Sequence, residues 1–155
     1  MNAKCAWLIG TGLLSLFVLM QPVQGVQGAA AQTSKPVKIT RLYTGPDGGS
    51  HVVEGTLDEH ARTDVVAIHF KETPAHSSLD WHDAPEAQYV ITLAGTLEFT
   101  TRDGETFVVR PGDVLVATDD TGSGHEWRLI DDQPWRRAYV VKKPGARDGF
   151  VAKAP

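Results

Sequence analysis

An all-β sandwich or barrel is the architecture this chain predicts, on three observations. Nine or ten short runs alternate apolar with polar residues or are rich in β-branched and aromatic types. Turn signals separate them at short intervals, among them Gly45-Pro46-Asp47-Gly48-Gly49, Arg102-Asp103-Gly104-Glu105 and Pro111-Gly112-Asp113. No stretch shows the three-and-four spacing of a convincing amphipathic helix. Many short strands of even spacing, punctuated by Gly, Pro and Asp, are the one-dimensional signature of closed or stacked sheets.

In chain order, residues 37–43 read as a first strand, closed by the turn cluster at 45–49. Residues 50–57 are a second strand, and 58–63 are polar and turn-like. Residues 64–71 (DVVAIHFK) alternate so that Val66, Ile68 and Phe70 share one face and Val65, Ala67 and His69 the other. Pro74 ends that strand, and residues 78–82 form a short one stopped at Ala84-Pro85. Residues 88–93 (QYVITL) are apolar on both faces apart from Gln88 and Thr92, which predicts burial on both sides. Strands at 96–101 and 106–110 flank Asp103-Gly104, the strongest hairpin signal present. Further strands follow at 114–118, 125–130 and 135–142, and the remainder, with Pro144, Gly145 and Gly149, reads as a tail.

The 155 residues are 41% hydrophobic and 22% charged with a formal net charge of -4, ordinary for one globular domain. The basic residues are scattered, so a nucleic-acid partner is not expected. Lys4, an apolar run over 6–20 and the small residues ending in Ala29-Ala30-Ala31 have the layout of a cleavable secretory signal at 1–31. That run falls short of the roughly 20 residues a spanning helix needs. The expectation is export to the periplasm or beyond, with no membrane anchor after cleavage and a domain at 32–155. Cys5 is the only cysteine and would leave with the signal, which removes disulfides and thiolate chemistry from consideration. A domain of about 120 residues can rest on its hydrophobic core alone.

Two histidines bracket the strand-rich middle: His82 before residues 88–93 and His125 after the loop at 119–124. Strands of one small barrel bring such distant residues to a common inner wall. Asp80 and His82, two apart in a strand, are expected on one face. Two imidazoles and a carboxylate are the elements of a facial triad for a transition metal. The competing reading has Asp80 capping a turn and the histidines lining a polar pocket.

The run from Asp80 to His125 also resembles the cupin superfamily, and residues 64–142 carry the resemblance. Gly95 matches the closing glycine of that family's first motif, and His82 its second histidine. Pro111-Gly112-Asp113 matches the turn of the second motif, and His125 sits where its histidine belongs. The wording WHDAPEAQ is similar to a subgroup with a Trp-His-x-Ala-Pro-x-x-Gln pattern. The resemblance implies a double-stranded β-helix (a jelly-roll barrel) and a homodimer paired through edge strands. Asp80 stands where the family has its first histidine. Six residues separate Gln88 from Gly95, which places it where a glutamate is usual, while counting forward from His82 points to Glu86.

The expected metal set is therefore His82, Gln88, His125 and Asp80, around Fe, Mn, Ni, Zn or Cu. His69 and Glu86 are the candidates to move a proton in oxygenation or isomerisation of a small polar ligand. A non-catalytic ligand-binding or sensor module without metal is the alternative. Trp127 and Tyr89 are the aromatic candidates for the ligand site, with core packing the competing role for both. Trp127 shares strand parity with His125. Asp119 and Asp120 are candidates to orient His125, or else a solvated acidic loop.

Overall fold

A computed structural model gives the fold and describes residues 37–154. The expected signal at 1–31 lies outside the described residues. Eleven strands follow in order: β1 (Lys38–Thr44), β2 (Ser50–Leu57), β3 (Val65–Thr73), β4 (Ser78–His82), β5 (Gln88–Ala94), β6 (Leu97–Thr101), β7 (Thr106–Val109), β8 (Val114–Thr118), β9 (His125–Leu129), β10 (Trp135–Lys142) and β11 (Phe150–Ala152). No helix occurs among the described residues.

The antiparallel ladders nest about one hairpin. β6 pairs with β7, β5 with β8, β4 with β9, and β3 with β10. One long two-armed ribbon, folded at the Asp103-Gly104 turn, is thus wound into two sheets. Winding sets β5 beside β10 and β6 beside β9, giving the orders β8-β5-β10-β3 and β4-β9-β6-β7. This is jelly-roll topology, eight strands in two four-stranded layers. β1, parallel to β8, then β2 and β11 widen the first layer to seven strands. The two sheets stay open rather than joining into a hydrogen-bonded barrel.

Strand alternation builds the core. Val90, Leu97, Phe99, Leu115, Trp127, Leu129 and Trp135 turn inward and pack between the sheets. Each fully buried side chain of this size contributes about 1.5–3 kcal/mol relative to exposure. The opposite parity of the large sheet forms a second cluster of Ile39, Tyr89 and Val116, with Leu57, Val114, Val140 and Phe150 packed on it.

Two expectations change. The tail is not featureless, because β11 adds to β2. Pro144, Gly145 and Gly149 hide a strand of three residues, too short to show a period. β3 is exposed from Val65 to Glu72. It ends its sheet among the described residues, so the apolar face of Val66, Ile68 and Phe70 meets solvent, Phe70 at 73% exposure.

Candidate functional site

The space between the layers holds a cavity of about 350 Å³, inside the range of small-ligand sites. β4 and β9 bring the two histidines to it. On β9, Trp127 and His125 are two apart; their partners on β4, Leu79 and His82, are three apart. One extra residue in β4 makes a β-bulge, and a bulge re-aims the side chains around it. Leu79 and His82 therefore both line the cavity. Trp81, within the bulge, stands on the surface with the Arg102 guanidinium 4.4 Å from its ring centroid.

The bulge also corrects the expectation for Asp80. Its side chain is exposed and belongs to an outer groove with Glu98, Thr100 and Arg128, not to the cavity. The same-face rule fails here because it assumes an unbroken strand. What Asp80 gives the site is its backbone carbonyl, which accepts from His82 Nδ1 at 2.7 Å.

The two rings lie side by side with centroids 4.3 Å apart. His125 is 5% exposed, and its Nδ1 donates to Asp119 Oδ2 at 2.7 Å. Asp119 is fully buried; Ser50 Oγ also donates to Oδ2, and the Gly124 backbone N–H donates to Ser50 Oγ. The site is thereby tied to β2. Gly124 has φ of 86°, and a Cβ there would lie 2.8 Å from the His82 carbonyl oxygen. Only glycine allows this approach, which brings the loop end down onto β4 just before His125.

Because a carbonyl and a carboxylate can only accept, both histidines must hold their proton on Nδ1 when neutral. Each Nε2 is left with a lone pair, the arrangement that metal-binding histidines use. Burial holds His82 below the ordinary imidazole value and the neighbouring His125 ring works the same way, against the hydrogen bond to the Asp80 carbonyl.

Gln88, the first residue of β5, is buried and on the cavity wall. Glu86 precedes that strand, exposed at the rim. Trp127 floors the cavity, edge-on to Trp135. His69 lines the cavity from β3 and stacks on Tyr139, centroids 4.9 Å apart. Tyr89 is the second correction. Lying between the inward-facing Gln88 and Val90, it faces the outer cluster, where its hydroxyl donates to the Asp148 carbonyl and meets Thr63 Oγ1.

Arg137, Lys71 and Tyr139 also line the cavity and were not among the expected residues. Arg137 was legible in principle, since it shares parity with Trp135 on a strand read as such. A separate group, Asp47, His51 and Asp103, offers three ligand atoms within 4.8 Å of one another, from the turn before β2, the start of β2 and the turn after β6. Asp47 and His51 hydrogen-bond at 2.9 Å on the solvent-facing side, and the Asp47 carboxylate holds the His51 imidazole above its ordinary value.

The nested ladders decide the family of folds. The chain has a double-stranded β-helix, the jelly-roll fold that the cupin resemblance implied. No family model matches the sequence, and no curated protein does. Solved structures that it resembles include a DUF861 family protein from Thermotoga maritima, at 27% identity over 48% of this chain and 76% of that one, TM-score 0.38. A conserved Streptococcus pyogenes protein of unknown function has 26% identity over 54% and 68%, TM-score 0.37. An uncharacterised Klebsiella pneumoniae protein with a double-stranded β-helix domain has 18% identity over 65% and 84%, TM-score 0.42. Scores this low add nothing to the strand order, on which the assignment rests.

Proposed function

We propose that this cupin-type domain binds a small polar molecule between its sheets, at a divalent transition metal held by Nε2 of His82 and of His125. The Gln88 amide oxygen is the third donor. The observation that supports this reading is the pair of Nδ1 hydrogen bonds, to the Asp80 carbonyl and the Asp119 carboxylate, which orients both lone pairs. With Asp80 turned away, the three donors are neutral. Such a set suits Zn, Cu, Ni or Fe better than Mg or Ca, which want carboxylates.

If the ligand is turned over, a bound metal supplies Lewis-acid polarisation. His69 and Glu86, both on the cavity lining, are then the groups that hold the moving proton. The test is metal content by elemental analysis after anaerobic, metal-supplemented purification. The wild-type protein retains metal and a His82→Ala/His125→Ala variant falls to background. Equal, negligible content in both sinks the metal reading and leaves the sensor alternative. A metal-loaded protein inert toward oxygen and candidate substrates favours a binding role over catalysis.

A second copy of this chain is the proposed partner. A nine-residue edge such as β3, with Val66, Ile68 and Phe70 exposed along one face, is a site for strand pairing. Two copies related by a two-fold axis would satisfy each other's edge and make Val66, Ile68 and Phe70 continuous. Sedimentation equilibrium should find a dimer that Ile68→Lys/Phe70→Lys converts to monomer; a wild-type monomer at every concentration sinks it.

A further inference from the structure

Arg137 is a buried cation that nothing in its surroundings neutralises. It is 2% exposed, on the inner face of β10, and lines the cavity. Its Nε donates to the Tyr139 hydroxyl at 2.8 Å; Nη1 donates to Thr73 Oγ1 and to the Trp135 carbonyl. The guanidinium carbon sits 3.6 Å from the Trp135 ring centroid. All of these partners are neutral. The ion pairs among the described residues engage other cations, such as Arg41, Arg128, Arg136 and Lys142. Nη2, with two N–H groups, has no acceptor among the described residues.

We infer that the cavity's ligand carries a carboxylate, received by Arg137 Nη2 with Lys71 at the rim. This rests on the ligand-binding reading above and names the chemical class of that ligand. Removing a guanidinium from water without a counter-charge is costly, so a buried one is retained where an anion completes it. Burial pulls the Arg137 guanidinium below its ordinary value, partly countered by Tyr139, and an incoming anion would reverse that. The cavity has two permanent cations, Arg137 and Lys71, against one carboxylate, Glu86, which is exposed. Val90, Phe99, Leu115 and Trp135 supply apolar wall for a short carbon frame. With a single nitrogen left to offer, Arg137 suits one small anionic group better than a polyphosphate.

Isothermal titration of the purified, metal-free protein tests this with glycolate, malonate and succinate. Each is compared with its amide counterpart and with inorganic phosphate. At least one carboxylate should bind about 10- to 100-fold more tightly than its amide, the worth of charge-assisted hydrogen bonds. Arg137→Met should erase that preference, Arg137→Lys should keep part of it, and Lys71→Met should weaken it less. Circular dichroism establishes that each variant is folded; if Arg137→Met is not, the Arg137→Lys and Lys71→Met results decide. The inference is overturned if no carboxylate binds, if amides bind equally, if phosphate outbinds every carboxylate, or if the Arg137 variants keep the full preference. Metal content is read in parallel. Carboxylate binding by a wild-type protein that retains no metal after metal-supplemented purification sinks only the metal reading, and metal retention without carboxylate preference sinks only this one.

Discussion

Strand β10 carries a buried cation on each face, and the two are treated differently. Outward, Lys142 reaches Asp148 Oδ2 at 3.0 Å, and Arg41 pairs with the same carboxylate. Asp148 also accepts from the Phe150 backbone N–H, which pins β11 and the tail onto the large sheet. Inward, Arg137 has only hydroxyls, a carbonyl and aromatic rings. The outer cations share the Asp148 carboxylate within the fold, so their role is holding the tail. The inner one leaves part of its charge for something that enters.

The largest effect that would break this contrast comes from Asp148→Asn. It strands Arg41 and Lys142 in a mostly buried place and should destabilise the protein by about 2–3 kcal/mol, at the low end for broken buried pairs because the site keeps some solvent. A change below about 0.5 kcal/mol in denaturant unfolding would mean the outer set does not hold the tail. Arg137→Met, by contrast, should leave stability unchanged or raise it by about 1 kcal/mol, since it removes a buried charge that has no counter-ion. A loss comparable to Asp148→Asn would show Arg137 to be structural and would erase the difference between the faces.

A smaller effect sharpens the same contrast through pH. Burial works to raise the Asp148 carboxyl, but Lys142, the Phe150 N–H and Arg41 together hold it below the ordinary carboxylate value. A carboxylate depressed in the folded state adds stability above its unfolded value, and that stability is lost as pH falls through the folded value. Hydrogen exchange should therefore show β11 opening first on acidification below about pH 4, the usual carboxylate value. Asp148→Asn should show β11 already open at neutral pH. An acid transition unchanged by that substitution would count against the assignment.

Much of this was written in the chain. Alternation, turn residues and the Asp103-Gly104 hairpin place ten of the eleven strands, because strand period and turn chemistry are local properties. His82 and His125 could be picked out because each stands beside a glycine- or proline-marked turn at a strand end, and they do converge. Trp127 likewise follows from parity with His125, whereas Gln88 was marked by its spacing to Gly95 in the cupin resemblance.

Tertiary structure alone decided the rest. Alternation says which residues share a face, not which face meets the other sheet, so Tyr89 on the outer side and Arg137 on the inner were open until the layers were stacked. A bulge belongs to a pair of strands and has no signature in either; the one in β4 turned Asp80 out, kept His82 in and brought Trp81 to the surface. Asp119 became the partner of His125 only when the loop at 119–124 closed over Ser50. A short segment fixes its own period, but the direction in which that period points is fixed by what packs against it.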